Sequence, residues 1–93
     1  VEGSDARVSP EHVLFTAHWD HLGTDPAREG DAIYNGAVDN ASGCAGLLEL
    51  AEAFAGMRTK PRRSLLFVFT TAEEKGLLGS RWYAAHPLVP LER

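Results

Sequence analysis

The chain has 93 residues, enough for one small domain that buries roughly 60 to 70% of the surface its unfolded form exposes. Hydrophobic residues make up 44% and charged residues 24%, which excludes an intrinsically disordered segment. A net charge of -4 gives no electrostatic reason to expect nucleic acid or an anionic membrane surface as partner, and no stretch reaches the roughly 18 apolar residues of a membrane span.

After the polar turn Ser9-Pro10-Glu11-His12, residues 13 to 17 form a continuous apolar run that reads as a strand buried on both faces. Residues 18 to 40 make a long connection with Gly23, Pro26, Gly30, Gly36 and four aspartates, a length that is uncommon in a compact domain without a task. From Ala41 the spacing of Cys44, Leu47, Leu48, Ala51 and Phe54 predicts a helix, with Asp39 or Asn40 placed to cap it and Gly56 to end it. Cys44 is the only cysteine, so no internal disulfide forms, and its helical setting marks it as a small buried hydrophobe.

The basic run Lys60-Pro61-Arg62-Arg63 reads as a solvated loop guarding the next strand, Ser64 to Thr70. Leu77 to His86 reads as a second helix, stopped by Pro87. Strand, helix, strand, helix implies a parallel, right-handed crossover unit. A parallel sheet needs helices on both faces, and two helices do not suffice, so the expectation is part of a larger domain. Val1-Glu2-Gly3 then reads as the tail of an earlier strand and Leu88 to Arg93 as the approach to a later one. Val1-Glu2-Gly3-Ser4-Asp5 does not read as a signal peptide, and a start at Val in place of Met leaves open that one has been removed.

Two groups of metal-type side chains follow the two strands. His18-Trp19-Asp20 stands directly after the first and Glu73-Glu74 just beyond the second, at the ends where open parallel sheets bind ligands. An imidazole is a common ligand for transition metals, and Asp20, two residues on, can share its side if extended geometry persists. A carboxylate behind a metal-bound imidazole fixes its tautomer, whereas adjacent His21 is expected to turn away to the surface.

Asp39 is either a helix cap or a third carboxylate in the same crevice, with Asn40 then free to cap. Thr71-Ala72-Glu73-Glu74 fits a capping box, but Gly76 and Gly79 make a poor first helical turn. Two adjacent glutamates repel, and a nearby cation explains the pair; their side chains point in different directions, one to a metal and one to water. Convergence at one end of one sheet favours a site. One histidine with several carboxylates suits zinc, with manganese or cobalt as alternatives, and not a thiolate-bound structural zinc. No Gly-x-Ser-x-Gly elbow, His-Glu-x-x-His helix or phosphate-binding loop is present.

Thr16-Ala17-His18-Trp19-Asp20-His21-Leu22-Gly23, Asn35-Gly36-Ala37-Val38-Asp39-Asn40-Ala41-Ser42-Gly43 and Thr71-Ala72-Glu73-Glu74-Lys75-Gly76-Leu77-Leu78-Gly79-Ser80 occur in this order. Together they resemble the zinc exopeptidase family that contains aminopeptidase Y, bacterial leucyl aminopeptidases and glutamate carboxypeptidase II. The resemblance runs over nearly the whole chain. It implies a three-layer α/β/α (phosphorylase/hydrolase-like) domain with a mainly parallel sheet, of which residues 1–93 are the N-terminal part.

By the same resemblance His18 binds one zinc, Asp39 bridges two, and Glu74 binds the second. Glu73 is the general base, and Asp20 is the catalytic partner that orients His18. The implied reaction is hydrolysis of the N-terminal peptide bond of a substrate with a free N-terminus, by a water bridging two zinc ions. The family pattern needs one further aspartate and one further histidine downstream, and His86, before Pro87, fits neither place, so three of five expected ligands are present.

Two rival readings stay open. One is a glutaminyl-cyclase-like acyltransferase with a single zinc; the other is a non-catalytic binding domain or inactive fragment. The resemblance also implies a secreted or periplasmic protein.

Overall fold

The computed structural model describes residues 1–92. In chain order the elements are strands β1 (His12–His18), β2 (Gly23–Thr24) and β3 (Ile33–Tyr34), helix α1 (Gly43–Gly56), strand β4 (Ser64–Thr70) and helix α2 (Leu78–Ala85).

β1 and β4 pair in parallel, in register from His12 opposite Ser64 to His18 opposite Thr70, with α1 as the crossover. The two apolar runs therefore lie side by side with their carboxyl ends level, and the Trp19 amide extends the ladder by donating to the Thr70 carbonyl at 3.0 Å. Opposed residues share a face, so Phe15 stacks on Phe67 at 5.2 Å between ring centroids, and Phe54 of α1 approaches Phe15 at 6.3 Å. Ala17, Leu65 and Leu47 are the buried apolar centre of this sheet and helix contact. On the opposite face His12, Leu14 and Leu66 line a small cavity with Tyr83 of α2 and residues 89 to 91.

Val1 and Leu65 exchange both backbone hydrogen bonds, at 2.9 and 2.8 Å. That reciprocal pattern is antiparallel pairing, so the first residues line the far edge of β4 as a strand tail would. Residues 88 to 92 form turns and not a strand, while Arg93 lies outside the described residues. The basic run is solvated but ion-paired: Arg62 meets Asp5 at 2.9 Å and Arg63 meets Glu11 at 2.6 Å. Hydrogen bonds from the Arg7 guanidinium and amide, then from Arg62, hold the Asp5 carboxyl well below the ordinary carboxylate range.

The long connection is not structureless, because β2 and β3 form a short antiparallel hairpin within it. Regular α1 begins at Gly43, and helical backbone leads into it from Ala41, where the apolar spacing places the start. Asp39 (φ -113°, ψ 93°) is extended, and the chain makes a wide turn closed by the Ala41 amide on the Gly36 carbonyl. α2 starts at Leu78, after Leu77 in the left-handed region. The capping box does not form: Glu74 points elsewhere, and the Thr71 carbonyl accepts the Gly79 amide at 3.0 Å. A Cβ at Gly79 would collide with that same Thr71 carbonyl, so a larger residue cannot start this helix here.

The expectation of strands buried on both faces fails for this chain. Val13, Leu14 and Phe69 are 41, 43 and 42% exposed although they belong to apolar strands. The radius of gyration is 16.6 Å, against about 12 Å for a compact chain of this length, and the extents are 57 × 30 × 11 Å. Apolar strand surface is present that two short helices cannot cover.

Candidate metal centre

The carboxyl ends of β1 and β4 carry the site. The last residue of β1, His18, has a side chain only 12% exposed. Its Nδ1–H donates to the Asp20 carbonyl at 3.0 Å, which leaves the lone pair on Nε2. Nε2 faces Asp39 Oδ1 at 3.0 Å and Glu73 Oε2 at 3.9 Å. Electron-rich atoms at such a distance are held when a proton or a metal ion lies between them.

Asp39 reaches this point because it is not in the helix. Its extended backbone turns the carboxylate toward His18, while Asn40 Oδ1 accepts the Gly43 amide at 3.1 Å and caps α1 in its place. Of the two uses of Asp39 left open by the sequence, the cap is taken by its neighbour.

Glu73 and Glu74 diverge. Glu73 turns to His18, while Glu74 Oε1 meets His21 Nδ1 at 2.9 Å. One ligand atom each from His18, Asp39 and Glu74 lie within 4.8 Å of one another. One imidazole nitrogen and two carboxylates, converging with one carboxylate well exposed, form a donor set that fits a zinc-like cation. A cavity of about 200 Å³ adjoins it, lined by His18, Asn40, Thr70, Glu73, Leu77 and Ser80 among others.

Two expectations about individual residues change. Asp20 does stand behind His18, but through its backbone carbonyl; its carboxylate lies 3.7 Å from Nδ1 and accepts the Glu73 amide at 3.1 and 3.3 Å. His21 is not turned away. Residues 19 to 22 belong to neither strand, and the His21 side chain is 22% exposed against Glu74. His86 stacks on Trp82 at 4.7 Å and its Nδ1 bonds the Trp82 carbonyl, so it plays no part at this centre. Among the described residues His18, Asp39 and Glu74 are the group arranged to hold a metal.

Comparison with known proteins gives the family. The model of Peptidase family M28 matches residues 1–93. The chain is 34% identical over 76 residues to a vacuolar membrane protease of Verticillium alfalfae, covering 82% of this chain and 7% of that protein. Against a protein of Pyrenophora tritici-repentis named "Probable zinc metalloprotease" it is 42% identical over 83 residues, covering 87% of this chain and 18% of the relative. A vacuolar membrane protease of Schizophyllum commune is 34% identical over 87 residues, or 94% of this chain and 8% of its own length. The chain thus spans less than a fifth of the relatives it matches. No solved structure gives a significant match.

These names correct two expectations. Proteins called vacuolar membrane proteases overturn the secreted or periplasmic setting, and they remove the support for excluding a membrane. No described helix is long and apolar enough to cross a membrane, and surface charge over so small a share of a protein does not report where the remainder sits. The match over all 93 residues and the order of the three motifs agree: the chain belongs to Peptidase family M28.

Proposed function

We propose that this chain is the N-terminal part of the catalytic domain of a zinc-dependent exopeptidase that releases N-terminal residues from peptides. The observation that carries the reading is the convergence of His18, Asp39 and Glu74 within 4.8 Å, with Glu73 beside them. The zinc metalloprotease name of a relative favours zinc over manganese or cobalt. A complete three-layer α/β/α domain would cover the exposed apolar residues of β1 and β4, and the low compactness of the chain supports it. The names of the relatives favour a vacuolar membrane as the setting of the reaction.

His18, Asp39 and Glu74 would hold zinc, Asp39 being shared if two ions bind. An ion held there would supply Lewis acidity toward the scissile carbonyl and toward water. Glu73 Oε2 is the group placed to take a proton from the attacking water and return it to the leaving amine. Asp20 places both partners: its carbonyl fixes the His18 tautomer, and its carboxylate anchors the Glu73 backbone. The cavity beside His18 and Glu73 receives the residue to be removed.

The test is release of product from an aminoacyl anilide by the full-length protein, before and after removal of zinc by a chelator. Activity lost on chelation and restored by zinc supports the reading. Hydrolysis that survives chelation, or that prefers N-terminally blocked peptides, overturns it.

A further inference from the structure

We infer that His21 is a positioning residue for the metal centre: its Nδ1–H holds one oxygen of Glu74 and so aims that carboxylate at the point shared with His18 and Asp39. The inference rests on the zinc peptidase reading and adds to it a residue that bears no metal.

Glu74 lies in a turn after β4, not in an element that would fix its side chain. A carboxylate with free rotation would sample several orientations, and ordering it on binding costs affinity. The 2.9 Å bond from His21 to Oε1, with both side chains largely buried at 22 and 17% exposure, removes that freedom in advance. His21 is itself held. The Tyr34 ring stands edge-on to it, 6.3 Å between centroids and 76° between planes, and the Arg28 guanidinium lies 4.9 Å from the centre of the Tyr34 ring. Behind it, a Cβ at Gly36 would stand 2.9 Å from His21 Cβ, which is closer than side chains approach. The hairpin of β2 and β3 therefore has a use: it carries Tyr34, which braces His21, which orients Glu74.

The test compares two variants of the full-length protein by competition with a chromogenic zinc chelator at one fixed pH. His21→Phe keeps the ring that Tyr34 packs against and removes the donor. His21→Asn keeps a donor and removes the ring. Zinc affinity should fall about 10- to 100-fold in His21→Phe and recover most of the way in His21→Asn, with melting curves reporting that each variant is folded. Wild-type affinity in His21→Phe overturns the inference, as does an equal loss in both, which would mean that packing matters and the hydrogen bond does not. If His21→Phe does not fold, His21→Leu removes the donor in its place, a loss that His21→Asn recovers supporting the inference and wild-type affinity overturning it. A wild-type protein that takes up no zinc overturns the peptidase reading itself, an outcome distinct from any difference between the variants.

Discussion

The carboxylate of Asp20 accepts the backbone amide of Glu73 at 3.1 Å across 53 residues of sequence. The contact ties the loop after β1, which follows His18, to the loop after β4, which carries Glu73. Asp20→Asn keeps an acceptor oxygen and should retain most stability and turnover. Asp20→Ala leaves the amide without a partner and should cost about 1 to 3 kcal/mol, together with a fall in kcat. Because the residue 20 carbonyl still accepts from His18, zinc affinity should drop far less in Asp20→Ala than in His18→Ala. Calorimetric melting, hydrolysis rates and zinc titration check the stability, turnover and affinity in turn.

In the proposed mechanism Glu73→Gln removes a base but no ligand, and should lower kcat about 10²- to 10⁴-fold while zinc content stays at the wild-type level. Metal analysis of the purified variant beside its hydrolysis rate decides this; unchanged turnover would remove Glu73 from the mechanism.

Asp39 and Asn40 divide two tasks that the sequence leaves open. Asn40→Ala removes the oxygen that caps the Gly43 amide and should destabilise the protein by about 1 kcal/mol. Asp39→Ala, 61% exposed and making no cap, should leave the melting temperature of the zinc-free protein nearly unchanged and weaken zinc binding. The reverse pattern, zinc loss from Asn40→Ala alone, would return Asp39 to a capping role.

Gly36 is locked by both its backbone and its neighbours. It has φ 64°, and a Cβ there would stand 2.9 Å from the Asp39 carbonyl and from His21 Cβ. Gly36→Ala should cost at least about 1 to 2 kcal/mol from the left-handed backbone alone, and zinc affinity should fall with it, since both crowded neighbours serve the metal centre. Denaturant unfolding monitored alongside zinc titration tests the coupling.

Asp5 predicts an acid dependence. Its carboxyl is held below its ordinary value by Arg7 and Arg62, so the native state binds fewer protons than the unfolded chain in acid. The stabilisation is therefore complete above the unfolded value of about 4 and is lost as pH falls through the lower folded value. Asp5→Asn should be less stable than wild type at neutral pH, with the gap closing below about pH 4. Added salt should narrow the same gap, because these pairs are largely exposed. Urea midpoints measured across the acid range would show it.

The two principal strands were legible because each is an unbroken apolar run, and no other element of the chain competes for that pattern. The hairpin of β2 and β3 was not: strands of two residues have no periodicity to read, and Gly23-Thr24 and Ile33-Tyr34 acquire their pairing only from each other. The entry to α1 is legible, since Asn40 caps it through the Gly43 amide, whereas the extended backbone of Asp39 before the cap is invisible to helical spacing. The site residues were visible as types at strand ends, yet their contacts were not. Strand alternation places His21 at the surface, but no periodicity reaches across the loop after β1, where His21 meets Glu74 and a backbone carbonyl, not a carboxylate, stands behind His18.

One last property follows from the order of the sheet. β4 is bonded on both sides, by β1 and by Val1, whereas among the described residues β1 is bonded on one side only. Its outer side carries the backbone groups of alternate residues, of which the His18 carbonyl accepts from the Cys44 thiol, and His12–His18 has no proline or lysine to deter a visiting strand. Expressed alone, this segment should recruit other chains along that edge. Self-association that is suppressed by placing a lysine at Val13 would be its signature.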